Sequence, residues 1–342
     1  MSLTLTESNK QPGVHYALTR DGLELPVVDV SHPLFALDVD APQQKALVDK
    51  FLAEGTPFQF LPRPLRNPLL RFFLRDSILA QGIRGAQGTF LSGLHTYLLK
   101  LGPEMLGSAY AKPIDRRIAA SLPVLSIRLR LQDVAKLTAD VLLPALQANR
   151  RQPLTLINIA GGPAVDSLNA LILLNQRCPG INSERPVSIA VLDLDDAGPA
   201  FGKAALTSMR ASDGPLHGQT ISFNHIHFNW ADTATLDVVL RKAHEQSAIV
   251  MCSSEGGLFE YGSDAEIENN LKTLRAFDEV IAVVGSVTRS DELAHRLRQN
   301  SAAATRPRGL QVFSSLVNKS GWRIVEAVER PLSDQVLLKP IV

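Results

Sequence analysis

Cysteine is scarce in this chain: 342 residues contain two, Cys178 and Cys252, far apart. They form no CxxC pair and no disulfide framework, which points to a reducing, cytoplasmic setting. Charge of one sign is missing too. Lys and Arg (35) nearly cancel Asp and Glu (34), leaving a net charge of +1. That balance argues against a dedicated nucleic-acid binder, whose footprint is a basic excess. Apolar runs such as Leu171–Leu174 fall far short of the ~18 residues of a membrane span, so no membrane partner is expected. The opening MSLTLTESNK lacks the charged start and apolar core of a signal peptide. There is no internal repeat and no low-complexity tract. What is present is 45% hydrophobic and 20% charged residues, enough for a packed core. The length suggests about two domains of ~150 residues.

Residues 1–40 read as a loose arm in which Pro, Asp and short apolar clusters alternate without a period. Residues 41–150 read as helical. Ala46, Leu47, Phe51 and Leu52 recur at helical spacing, as do Leu91, Leu94, Leu98 and Leu101, with Pro57, Pro62, Pro64 and Pro68 between them. Val134, Leu137, Val141 and Leu142 share a further helical face. A polar stretch, Asn149–Pro153, marks a boundary, giving a mainly helical unit over 1–150 and an α/β unit over 151–342. Beyond it, short β-rich runs alternate with helical windows, the pattern of a parallel sheet covered by helices. The runs are Leu154–Ile159, Val187–Asp193, Thr220–Phe228, Ala248–Cys252 and Val280–Val287. Ser263-Asp264-Ala265-Glu266 spells a capping box. Gly321 closes the last helix. Trp322–Val328 and Gln335–Lys339 lie too close together for a parallel crossover and are expected to pair antiparallel.

The sharpest local feature is the end of the first run, Asn158-Ile159-Ala160-Gly161-Gly162-Pro163-Ala164. Small residues let a ligand approach the backbone, and helix amides face the same mouth. The second feature is Asp193, directly after the second run, where a carboxylate can accept hydrogen bonds from both hydroxyls of a ribose. Asp195 and Asp196 suit the start of the next helix.

Strand, small-residue turn, helix, strand and acid, in this order, resemble the opening of the class I S-adenosylmethionine-dependent methyltransferases. Asn158, Ala160, Gly162 and Ala164 stand where that family has its acid and three glycines. The closing helix and strand pair over 312–340 look like that family's carboxyl end. The resemblance covers about residues 150–342. It implies a Rossmann-like seven-stranded sheet with a terminal antiparallel pair, and S-adenosylmethionine as cofactor. Contacts to that cofactor would come from Asn158, Ala160, Gly161, Gly162, Pro163, Asp193, Leu194, Asn229, Trp230 and Ser253. Glu255, in the loop after the fourth run, would face the acceptor as a base or orienting group. Ser286, Thr288 and Arg289 would lie on the acceptor side. His95 and Tyr97 would line a lid over the cofactor; the helical unit is expected to act as that lid or as the surface of a homodimer. The reaction implied is methyl transfer to an oxygen or nitrogen of a small-molecule acceptor.

Asn158 in place of the acid, and Ala160 and Ala164 in place of glycines, leave open an atypical or inactive member. Two other readings stand beside it: a nicotinamide-dependent dehydrogenase, against which the absence of GxGxxG argues, and a non-catalytic binding module. His225 and His227 alternate on one strand without a third ligand nearby, so no metal is expected.

Overall fold

The computed structural model describes residues 10–54, 77–85, 92–108, 111–295 and 304–341. Pro57, Pro62, Pro64, Pro68 and Leu91 lie outside them. The chain opens with an antiparallel hairpin, β1 (Tyr16–Leu18) and β2 (Glu24–Pro26). Among the described residues the next helices are α1 (Ala41–Glu54), α2 (Ile78–Gly85), α3 (Gly93–Lys100), α4 (Gly102–Met105), α5 (Pro113–Ala119) and α6 (Leu122–Ala148). The remainder alternates: β3 (Leu154–Ile159), α7 (Val165–Arg177), β4 (Val187–Asp193), α8 (Ala197–Met209), β5 (Ile221–His227), α9 (Ala234–Glu245) and β6 (Ile249–Ser254). After these come α10 (Leu258–Tyr261), α11 (Asp264–Arg275), β7 (Val280–Thr288), α12 (Gly309–Lys319), β8 (Trp322–Glu329) and β9 (Ser333–Pro340).

Seven strands form one sheet in the order β5-β4-β3-β6-β7-β9-β8. The first five are parallel; β9 runs antiparallel to β7, and β8 antiparallel to β9. This is the Rossmann-like seven-stranded sheet, with a reversed terminal pair, that the sequence led one to expect. Every residue of β3 is buried, as a central strand covered on both faces demands. Successive side chains alternate faces. Leu156 joins Leu142 and Leu146 of α6, Leu168 and Leu171 of α7, and Phe201 of α8. Ile157 joins Leu236 and Leu240 of α9, Ile267 and Leu271 of α11, and Phe313 of α12. The core on the first face therefore draws on residues from both sides of the 149–153 stretch. The expected capping box closes on itself, Ser263 Oγ accepting from Glu266 N. Gly321 takes the left-handed conformation at φ +81. Trp322 behind it is fully buried and donates to the Leu271 carbonyl at 2.9 Å.

Residues 1–9 of the expected loose arm lie outside the described residues; from residue 10 on it is instead a built strap. Leu25, Val27 and Val28 are buried. Tyr97 Oη donates to the Pro26 carbonyl at 2.6 Å and accepts from Val28 N at 3.0 Å. Asn169 of α7 accepts from Val30 N at 2.7 Å and donates to the Val28 carbonyl at 3.0 Å. Strands of three residues are too short to carry a period of two, so the ordering comes from side chains remote in sequence. In α1 the helical spacing holds, but Ala46 and Leu47 are exposed and Phe51 and Leu52 only half-buried. Among the described residues no helix is long and apolar enough to cross a membrane.

Strand order reverses between β3 and β6, since the chain leaves β5 at one edge and returns on the other side of β3. In open α/β sheets ligands bind outside the carboxyl ends of the strands at such a point.

Candidate functional site

A cavity of about 400 Å³ opens there, within the usual size of small-molecule sites. Its floor is the turn after β3. Ala160, Gly162 and Ala164 all take left-handed backbone, at φ +53, +53 and +52. A residue with a Cβ loses roughly 1–2 kcal/mol in that conformation, so two alanines here hold a strained turn in the shape glycines take freely. Packing decides which residue carries the methyl. A Cβ built on Gly257 would stand 2.3 Å from that of Ala160, so the β6 loop is bare where the β3 turn is not.

Asp193 at the end of β4 braces this turn. Its Oδ2 accepts from Gly162 N at 2.8 Å and its Oδ1 from Asp195 N at 2.9 Å. Burial pushes its carboxyl above the usual range, opposed by those two amides. Asp195 caps α8, accepting from Ala197 N at 3.2 Å and Gly198 N at 3.1 Å, and also takes Gly93 N of α3 at 3.0 Å. Gly93 rests directly on the turn: a Cβ there would come within 2.7 Å of Gly162 Cα. Helices α3, α5 and α6 complete the wall facing the strand ends, with Leu99, Ile118 and Ile127 among their lining side chains.

The expected site residues divide three ways. Ala160, Gly161, Gly162, Pro163, Asp193, Leu194, Trp230 and Glu255 all line the cavity. Asn158 and Ser253 lie beneath it in a buried network. Asn158 Nδ2 donates to Asp166 Oδ1 at 2.9 Å and to Ser253 Oγ at 2.7 Å, and Ser253 Oγ donates to Asp166 Oδ2 at 2.6 Å. Asn229 is exposed outside the wall, its Oδ1 accepting from Ala231 N at 3.1 Å. His225 bonds the Asp193 carbonyl through Nε2 at 3.0 Å. Among the described residues no three His, Cys, Asp or Glu side chains gather as a metal site.

Glu255 is not free to move. Its Oε2 meets Lys100 Nζ of α3, and its Oε1 accepts from Arg130 Nε of α6 at 3.0 Å. Arg130 Nη1 donates to Glu260 at 2.8 Å, and Thr288 Oγ1 donates to the same oxygen at 3.3 Å. Burial alone would raise the Glu255 carboxyl, but Lys100 and Arg130 outweigh it and hold it below the usual range. A carboxylate so held is a poor proton acceptor. Lys100, Arg130, Glu260 and Asp166 were not among the residues that sequence reasoning picked out. Lys100 ends a helix read by its leucines, and Asp166 reads as an ordinary first-turn acid.

No family model matches the chain, and no curated protein matches it. Several solved structures are similar in fold. Magnesium protoporphyrin IX methyltransferase from Synechocystis PCC 6803, with bound SAH, is 12% identical with a TM-score of 0.42; the match covers 65% of this chain and 88% of that one. An O-methyltransferase family protein from Burkholderia thailandensis is 14% identical with a TM-score of 0.38, over 67% and 60%. Human N-acetylserotonin methyltransferase, in complex with SAM, is 12% identical with a TM-score of 0.35, over 62% and 56%.

Proposed function

We propose that this cavity binds S-adenosylmethionine and that the protein transfers its methyl group to an oxygen or nitrogen of a small molecule. The observation that carries the reading is the Asp193 carboxylate, placed on the cavity wall between the left-handed β3 turn and Leu194. Each of its oxygens accepts one backbone amide, which leaves a second lone pair on each for a hydroxyl donor. The donor set thus fits the two hydroxyls of a ribose. Leu194 and Trp230 flank the same mouth with apolar surface suited to a flat base.

S-adenosylmethionine supplies a methyl group already activated on a sulfonium. The chain's own part is to place the acceptor and exclude water. Helices α3, α5 and α6 do the second. Glu255 acts as a positioning residue, fixing Lys100 and Arg130, and not as a general base. With Glu255 and Glu260 both engaged by cations, a neutral amine or an acceptor that ionises readily suits the site best.

Thermal unfolding tests the reading, because a ligand that binds only the native state stabilises it. S-adenosylmethionine or S-adenosylhomocysteine should raise the melting temperature, and NAD should not. A shift with NAD and none with either sulfur compound would refute it.

A further inference from the structure

The two oxygens of Glu260 are unequally used. Oε1 accepts from Arg130 Nη1 at 2.8 Å and from Thr288 Oγ1 at 3.3 Å. Among the described residues no donor reaches Oε2. The Arg130 guanidinium is divided in the same way. Its Nε and Nη1 are taken by Glu255 and Glu260. Of its five N–H donors, the pair on Nη2 meets no acceptor among the described residues. Neither idle atom is shut in. Ser126 Oγ and Ser286 Oγ are unpaired and closed off from solvent, whereas Glu260 Oε2 and Arg130 Nη2 are not. Both side chains line the cavity and keep 9% (Glu260) and 8% (Arg130) of their surface accessible.

Covalent geometry places the two idle groups together. Oε2 shares a carbon with Oε1, Nη2 shares one with Nη1, and Oε1 and Nη1 are 2.8 Å apart. An acceptor and a donor therefore stand within a few ångströms of each other. Gly256 leaves the guanidinium its place, since a Cβ there would stand 2.4 Å from Nη2. Ile127, one turn before Arg130 on α6, lines the same cavity with an apolar side chain, as does Ile118 of α5.

We infer that Glu260 Oε2 and the Nη2 hydrogens of Arg130 form a recognition pair for a neutral group carrying an N–H and a carbonyl side by side, a carboxamide or a lactam edge, on an otherwise apolar acceptor. That the occupant is the acceptor rests on the methyl-transfer reading above. The pattern selects the group: its carbonyl takes a hydrogen from Arg130, and its N–H is given to Glu260. A carboxylate offers acceptors alone and faces the Glu260 charge. An amidinium offers donors alone and faces the Arg130 charge. Either ion would also unbalance a desolvated set in which Lys100 and Arg130 already match Glu255 and Glu260.

Benzamide, benzoate and benzamidine share one shape and differ in this pattern. Each is titrated into the full chain by ligand-observed NMR near neutral pH, where the second is an anion and the third a cation. Benzamide should bind at least about fivefold tighter than either ion. A smaller margin, or tighter binding of either ion, would overturn the proposal. Glu260→Gln removes the charge that repels benzoate, so in that variant the preference for benzamide over benzoate should fall at least about fivefold. A smaller fall would overturn the proposal as well, and if the variant does not fold, the ranking in the parent decides. S-adenosylhomocysteine titrated into the parent separates the two ideas. Its failure to bind strikes the methyl-transfer reading and leaves the ranking to judge the pair. Equal binding of the three probes while S-adenosylhomocysteine binds strikes the pair alone.

Discussion

Asp166→Asn isolates the buried charge beneath the turn. Asp166 is 2% exposed, and its carboxyl is pushed up to about 6 from an ordinary 3.8, first by burial and then by the neighbouring Glu255 charge. Hydrogen bonds from Ser253 and the Lys100 charge oppose that rise without cancelling it. Below 3.8 the group is protonated in both the folded and unfolded chain. Between 3.8 and about 6 the unfolded chain has lost the proton and the folded chain keeps it. The stability the group contributes is therefore fully present below 3.8 and is lost as pH rises through about 6. The full difference corresponds to about 3 kcal/mol. Asparagine has the shape and donor of the protonated acid and never ionises. Urea unfolding of parent and variant should thus give nearly equal stability at pH 4. At pH 7.5 the variant should lead by up to about 3 kcal/mol. Taking the difference between the two proteins removes the other titrating groups, including Asp334, whose carboxyl burial also pushes up to about 6. A difference that does not change with pH, or one that moves in the parent's favour, would refute the reasoning. It would show that the amide of Asn158 and the hydroxyl of Ser253 stabilise the ionised form more than burial penalises it.

Asp193→Ala should weaken binding of S-adenosylmethionine and S-adenosylhomocysteine at least about tenfold by calorimetry, since two bonds to a charged acceptor are lost at roughly 1.5–3 kcal/mol each before competition from water. It should also cost about 1–3 kcal/mol of stability, because the amides of Gly162 and Asp195 lose their acceptor; unchanged affinity would remove the ribose from this mouth. Gly93→Ala places a methyl 2.7 Å from Gly162 Cα, backbone against backbone, and should cost roughly 1–3 kcal/mol with weaker cofactor binding. A fully stable, fully binding Gly93→Ala would mean that α3 does not rest on the turn.

The sheet was legible because its strands announce themselves locally. Leu154–Ile159 and Val187–Asp193 appear with the bounds expected of them. The antiparallel end follows from a connection too short for a crossover. The mouth residues were legible for a related reason. Asp193 directly follows an apolar run, and Ala160–Ala164 joins a strand to a helix, so chain order alone brings both to the carboxyl ends. The β1–β2 strap was not, because three-residue strands have no period and are held by Tyr97 and Asn169 from far along the chain.

The charged part of the site was illegible for a different reason, and the reason bears on how the site is built. Lys100 and Arg130 stand 155 and 125 residues before the glutamate they hold. Each sits on a helix whose leucines explain its local pattern without any reference to a site. Within its own segment a buried charge looks like a solvated one, and only the partner's position tells them apart. The departures in the first motif show the converse. As letters, Asn158, Ala160 and Ala164 read as losses. In space the alanines take the left-handed backbone that glycine adopts freely. An acid is still present at the strand end: Asp166, at the start of α7, accepts from Asn158 at 2.9 Å. Here the carboxylate beneath the turn comes from the helix and not from the strand. A motif read by position misses it, whereas hydrogen bonding among the buried side chains finds it.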